Sequence, residues 1–314
     1  MATYNNQKTR WFDCGVKQLD KKQDYVLQGS NEQFDWLVVL DGHGIGRIAN
    51  RLSAMPWNDM LIDHDDPTTL LTHINEHLIH DKNGYPQNNF GDGSTCSIIK
   101  VYRAENKLVV YWIGDSQIGI KLNSEYYHPS PHNVTNVSEM QRIKDTNIQT
   151  TETWKPVVLD NDLNISMELG TYILHNYKYT TDMMRDCKTK IVRNESLSMT
   201  RALGHNHGDV FATKQEFDTL ELQYSPDDTL VVLAATDGLW DILSSNTDFI
   251  FTDIITTIEK NSNPVTMLLE FAESRWKASW NYHLPLPWRK HGDMPKKQRM
   301  PEYDDIGIAI YCIM

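Results

Sequence analysis

Aspartates mark the ends of apolar runs in this 314-residue chain. WLVVL, VVYWIG and LVVLAAT lead straight into Asp41, Asp115 and Asp237, while Asp24 precedes YVL and Asp304, with Asp305, precedes IGIAIY. If these runs are antiparallel strands, the end of one and the start of its neighbour share an edge, so the five carboxylates Asp24, Asp41, Asp115, Asp237 and Asp304 converge on one rim. Glycine follows Asp41 and Asp237 and precedes Asp115, which suits sharp turns and close backbone approach to a ligand. Gathered carboxylates repel one another, and such a rim calls for cations. Hard oxygen ligands favour Mg2+ or Mn2+ over zinc or copper. Two such ions side by side can activate a water and neutralise a phosphate, which is ester hydrolysis without a protein nucleophile. Any one Asp-Gly pair after a strand is an ordinary turn. Five compatible placements are what point to a site.

The elements that must position these groups read as short runs rich in β-branched and aromatic residues: Trp36–Leu40, Ser97–Tyr102, Lys107–Ile113, Leu230–Ala235 and Gly307–Ile313, with Tyr25–Leu27 weaker. Helical stripes lie between them: Leu70, Ile74 and Leu78; Ile250, Phe251, Ile254, Ile255 and Ile258; and, after Pro264, Leu268, Leu269 and Ala272. The stretch near 123–194 is polar and less periodic, which predicts loops with short strands laid over a core. A second polar stretch, near 283–301, predicts a surface excursion. Strand signals resume after each, so residues 1–314 are expected to form a single domain of mixed α and β structure with two polar insertions.

Bulk properties exclude several classes. The net charge of −12 repels nucleic-acid phosphates. No apolar stretch approaches the ~20 residues of a membrane helix, and the N-terminus lacks the apolar region of a signal peptide. An intracellular, cytoplasmic location is expected, with the nucleus left open, and the sequons at Asn133, Asn136, Asn164 and Asn194 then carry no weight. Cys14, Cys96, Cys187 and Cys312 are scattered without CxxC spacing, which offers neither a disulfide framework nor a thiolate zinc site.

The segments DGHGIG (41–46), GDGSTC (91–96), WIGDSQ (112–117), LSMTRALG (197–204), ATDGLWD (235–241) and DDIGIAI (304–310) resemble, in order, the signature blocks of the metal-dependent protein serine/threonine phosphatases of type 2C. The resemblance runs from about Gly15 to the C-terminus. It implies an α+β fold, a central β-sandwich of two antiparallel sheets with helices on both outer faces (αββα). It implies Mg2+ or Mn2+ as cofactor, two ions with a weaker third in some members, and phosphorylated proteins as substrates, with no nucleic acid, no membrane and a monomer as default. By likeness, Asp41 bridges two metals, the Gly42 carbonyl completes one sphere, and Asp237 and Asp304 hold the other metal. Asp24 stands close by through bound waters, Asp115 and Asp241 resemble the holders of the third ion, and His43 is the general acid. Arg201 resembles a structural arginine, Ser94 and Thr95 core-facing loop residues, and Trp240 a packing residue.

Departures from the family pattern fall around the same site. Gln23 stands where many members have glutamate, and Leu19 where they have an arginine that holds the substrate phosphate. Lys17 or Lys21 could substitute, although a lysine lacks the bidentate fork of arginine. Gln117 and His205 replace a common arginine and a common aspartate. These departures motivate the one serious alternative, a catalytically impaired pseudophosphatase serving as a binding or scaffold module. Asp41, Gly42, His43, Asp237 and Asp304 are all retained, which favours the phosphatase. Other readings are weaker. Cys187 and Arg193 have Cys-x5-Arg spacing, but KTKIV between them has no glycine for a phosphate-cradling loop. HINEH (73–77) fits a zinc-protease spacing but sits beside an apolar helical stripe. DGHGIGR lacks the third glycine of a dinucleotide motif, and Asp41 would repel pyrophosphate.

Overall fold

The strand signals are apolar at successive residues because both faces of each strand are covered. In Phe34–Leu40, Leu37 and Val39 point to one buried face while Trp36, Val38 and Leu40 point to the other. The structure, a computed structural model, describes residues 8–79, 92–133, 135–145, 150–158, 164–178, 192–197, 199–204, 214–243, 247–283, 296–299 and 303–314. Two five-stranded antiparallel sheets form its centre. One runs Arg10–Lys17, Ile306–Ile313, Leu230–Ala235, Gln117–Leu122, Glu125–Tyr127. The other runs Asp218–Gln223, Lys107–Ile113, Cys96–Tyr102, Phe34–Leu40, Tyr25–Ser30.

Period-2 alternation divides the apolar side chains into three layers of core. Leu37, Val39, Ile99 and Val110 meet Ile120, Val232, Ala309 and Tyr311 between the sheets. Trp36, Val38, Leu40 and Ile98 face outward and pack under the helices Arg47–Ser53, Trp57–Asp63 and Pro67–Ile79 through Leu52, Trp57, Leu70 and Ile74. On the opposite outer face, Val231, Leu233, Ile308 and Ile310 are covered by Thr247–Lys260 and Pro264–Lys277 through Phe251, Ile255, Leu268 and Ala272. Pro264 opens its helix at the first turn, where no amide hydrogen is needed. The result is the expected αββα sandwich.

The polar stretch from 123 departs from expectation in its described parts. It contains the helix Val137–Asp145 and a 15-residue strand, Asn164–Lys178, paired with Thr150–Val158 and Val192–Leu197. Its apolar residues alternate only at Ile165, Met167 and Leu169 before clustering at Tyr172, Ile173 and Leu174, so no sustained strand period marks its length. Cys187 lies outside the described residues. So does most of the 283–301 stretch, of which only His283 and the Lys296–Arg299 strand are described.

One contact ties a helix to its sheet. The Phe251 ring lies directly over Gly119, where an added Cβ would fall 1.3 Å from the ring. Gly119→Ala should therefore overpack this layer and destabilise the fold by about 1–3 kcal/mol, read as a lower urea midpoint. An unchanged midpoint would show that the ring can move aside without loss.

Candidate functional site

Strand direction gathers the aspartates. Tyr25 pairs with Leu40, so Asp24 and Asp41 sit side by side just beyond that pair. Lys107–Ile113 lies two antiparallel steps from Phe34–Leu40 and runs in the same sense, so Asp115 leaves at the same edge. In the facing sheet Ala235 pairs with Ile308, so Asp237 leaves where Asp304 and Asp305 enter. Stacking the sheets brings both edges together, and Asp41 feels the charges of Asp237, Asp24, Asp304 and Asp115.

Small residues and short polar contacts lock this rim. The Thr236 amide donates to the Gly307 carbonyl (3.0 Å), and the Gly307 amide donates to Thr236 Oγ1 (2.8 Å). A Cβ on Gly238 would lie 1.8 Å from the Asp305 carbonyl oxygen, so only glycine lets the two segments meet. Across the rim, the Thr95 amide donates to the Asp41 carbonyl (2.9 Å), the Asp41 amide donates to Thr95 Oγ1 (3.2 Å), and that hydroxyl pairs with Ser116 Oγ (2.7 Å). Ser94 and Thr95 have no exposed surface. Gly42 and His43 pair with Ser94 and Gly93, which pair in turn with Leu203 and Gly204, so three of the motif blocks form one small sheet that carries half-buried His43 to the rim.

The electrostatics are those of carboxylates held together against their repulsion. Burial, then Asp237, Asp24 and Asp304, raise Asp41 well above the usual carboxylate range. Asp24 is likewise raised, first by burial and then by Asp237 and Asp304. Among the described residues its Oδ2 has no hydrogen-bond partner, while the Thr236 hydroxyl, which accepts the Gly307 amide and keeps its own proton to donate, restrains the rise. Asp237 is pushed up to about 6 by burial and exposed Asp241, against the pull of Lys21 and a side-chain hydrogen bond with Asp41. Asp304 is pushed up to about 7 by burial and Asp237, again opposed by Lys21.

Of the two candidate lysines, the structure brings Lys21 to this cluster. Its Nζ lies 2.7 Å from Asp304 Oδ2. Burial works against the Lys21 ammonium, but Asp304, Asp237 and Asp41 outweigh it and raise its pKa. Lys17 instead pairs with Glu273 on the Pro264–Lys277 helix (2.7 Å). Leu19 is partly buried against the apolar layer under the Pro264–Lys277 helix, as are Trp240 and Tyr303, and as a leucine it brings no charge to the rim.

Two features, the roles of Asp305 and Asp92, escaped sequence reasoning, while Arg201 takes the structural role expected of it. Asp305, fully buried, accepts the Leu19 amide on Oδ1 and the Gln23 amide on Oδ2, both at 2.6 Å, and so clamps the loop that carries Lys21. The doublet Asp304-Asp305 signalled two carboxylates but not their division of labour. Buried Asp92 faces the turn behind His43. Burial raises its carboxyl pKa, against the backbone N–H groups of residues 45–47 and the charge of Arg47. Arg201 joins a network in which its Nε and Nη2 donate to Glu139 Oε1 (3.0 and 2.7 Å) and its Nη1 to Asp218 Oδ1 (2.7 Å). His132 Nε2 meets Asp218 Oδ2 (3.1 Å), and its Nδ1 accepts the Gly114 amide (3.2 Å), fixing the residue before Asp115. Although burial opposes it, Arg201 and Arg142 draw Glu139 down to about 2. Trp240 donates its ring N–H to the Ala235 carbonyl (3.0 Å) and stacks on Phe251.

The donor set fits a hard divalent cation. It consists of carboxylates that are partly or fully buried, mutually repelling and pushed toward protonation. Among the described residues no three His, Cys, Asp or Glu side chains yet stand at ligating separations, and Lys21 holds an oxygen of Asp304.

The family model for protein phosphatase 2C matches residues 5–273, and the chain belongs to that family. Its members are metal-dependent protein serine/threonine phosphatases. Solved structures share the fold at low identity. A C. elegans sex determining protein aligns with a TM-score of 0.58 at 16% identity, covering 98% of this chain and 65% of that one. A serine-threonine phosphatase 2C from Toxoplasma gondii aligns at 0.56 and 15% identity over 97% and 95% of the two chains. A bacterial serine phosphatase aligns at 0.50 and 14% over 98% of each. No curated protein sequence matches. Among the described residues, no helix is long and apolar enough to cross a membrane.

The raised carboxyls give a pH signature. A carboxyl with a raised folded pKa binds its proton more tightly when folded, so its ionisation above the ordinary ~4 subtracts stability as pH rises toward the raised value. Buried His132, whose pKa is lowered, acts in the opposite direction. A comparison with Asp304→Asn cancels that contribution. In EDTA, the thermal midpoint of the wild type should fall relative to Asp304→Asn between about pH 5 and 7.5, and millimolar Mg2+ or Mn2+ should remove the deficit. Parallel curves with and without metal would contradict this assignment.

Proposed function

We propose that this chain hydrolyses phosphoserine and phosphothreonine in proteins with the help of Mg2+ or Mn2+ held at the carboxylate rim. The supporting observation is the convergence of Asp24, Asp41, Asp237 and Asp304 into one cluster that repels itself, with His43 carried to its margin on the small sheet. In this reading Asp41 and the Gly42 carbonyl would hold one ion, and Asp41 with Asp237 and Asp304 would hold the other. Asp24 stands beside them, and Asp115, with Asp241, borders a weaker third position.

Bound there, the ions would supply water activated near neutral pH and positive charge against the phosphate oxygens. The residues of the chain do the rest. The carboxylates fix where charge is neutralised, and the Thr95–Ser116 contacts keep Asp41 from relaxing away. His43 holds a proton for the departing serine or threonine oxygen, which leaves poorly as an alkoxide. Lys21 is the cation brought nearest to an arriving phosphate, since Leu19 is committed to the core.

Phosphate release from a phosphothreonine peptide tests this reading. Asp41→Asn and Asp237→Asn should each lower kcat by ~10² or more at saturating Mn2+, because charge stabilisation is the main catalytic contribution. Near-normal rates in both would remove the metal assignment. No turnover from folded wild type under any metal would favour a binding module, the role that the missing arginine suggests.

His43→Ala should slow phosphoserine and phosphothreonine hydrolysis far more than that of p-nitrophenyl phosphate, whose leaving group needs no proton. Equal losses on both substrates would argue against His43 as the acid.

A further inference from the structure

Lys21 does not merely drift near the rim; it is built into it. The loop from Leu19 to Asp24 is pinned by the Asp305 carboxylate, which takes amides on both sides of Lys21, at Leu19 and Gln23. Asp20 accepts the Tyr303 amide (2.8 Å), tying the same loop to the segment leading into Asp304. Gln18 Nε2 donates to the Asp24 carbonyl, and Lys22 takes a positive φ of 61° that turns the chain back to the strand. Between these anchors the Lys21 side chain has one productive direction, toward Asp304, where it forms the 2.7 Å ion pair. Lys17 is held by Glu273, so among the lysines of this loop only Lys21 is recorded on a rim carboxylate.

Building on the metal assignment above, we propose that Lys21 is a built-in counter-cation of the carboxylate centre, competing with the divalent ion for Asp304 and thereby setting the metal concentration at which the centre fills. A divalent ion entering between Asp237 and Asp304 must break the Lys21–Asp304 pair and meets the repulsion of the ammonium as well. Both effects weaken its binding. Once the ion holds Asp304, the ammonium is released at the rim, on the side from which a phosphate approaches. Metal binding and the availability of Lys21 are therefore coupled, because one carboxylate oxygen cannot serve both cations at full strength.

Calorimetric titration of metal-free protein with Mn2+ tests the exchange without recourse to activity, using wild type, Lys21→Met, Lys21→Arg and Asp237→Asn. No backbone hydrogen bond of the loop uses the Lys21 side chain, so the loop should survive its replacement; thermal unfolding in EDTA checks this. Lys21→Met should bind Mn2+ about tenfold more tightly, the scale of one unit charge removed a few ångströms from the ion in a partly solvated site. Lys21→Arg keeps the charge and should stay within about threefold of wild type. Asp237→Asn should lose most of the binding. Equal or weaker affinity in Lys21→Met, with wild type binding normally, would overturn the competition while leaving the metal centre intact. No Mn2+ bound by any of the four proteins would remove the metal reading and the lysine exchange with it.

Discussion

The repulsion among buried carboxylates is the constraint around which this molecule is arranged. Asp24, Asp237 and Asp304 all raise the pKa of Asp41, and each of the four is raised first by loss of water. Left to themselves such groups would separate or protonate. They do neither because each is attached to the end of a strand that cannot move without unpairing a sheet. Three layers of apolar core, one between the sheets and one under each pair of helical faces, keep the two edges stacked. Burial of the sandwich thus supplies the free energy that holds an electrostatically unfavourable rim in place.

Details close to the rim follow from that requirement. Gly238 is needed because the Asp237 and Asp305 segments approach to within a distance that no Cβ allows. Thr95 and Ser116 link the turn at Asp41 to the turn at Asp115, so the backbone at Asp41 and the residue after Asp115 are joined by one pair of hydroxyls. His132 fixes Gly114 from behind and is itself held through Asp218 and Arg201 to Glu139 on the Val137–Asp145 helix. Lys21 holds Asp304 at the rim through an ion pair and is delivered by a loop that Asp305 clamps. The site therefore carries part of its own neutralisation.

Much of this was legible in the residues. Strands covered on both faces read as unbroken apolar runs, so Trp36–Leu40, Leu230–Ala235 and Gly307–Ile313 stood out, and an aspartate at each end pointed to a shared edge. The helices over them were marked by stripes such as Leu70, Ile74 and Leu78. Less visible were elements whose partners lie far away in sequence. Arg10–Lys17 is a strand because Ile306–Ile313 pairs with it along its whole length, and RWFDCGVK alone carries weak periodicity. Gln117–Leu122 was hidden by Gly119, whose missing side chain is filled by Phe251 from a helix more than a hundred residues on. Asn164–Lys178 alternates only from Ile165 to Leu169, and its ladder partners extend it into a long strand. Within the site, composition could not separate Asp304 from Asp305 or Lys17 from Lys21, because their roles depend on which way a loop turns.

The central claim, that this rim is a divalent-cation centre, is tested most directly by anomalous diffraction from crystals soaked in Mn2+. The account predicts strong Mn2+ peaks among Asp41, Asp237 and Asp304, with Lys21 Nζ displaced from Asp304. Crystals in which Mn2+ scatters only elsewhere, or in which Lys21 still holds Asp304 and no peak stands between the sheet edges, would contradict it.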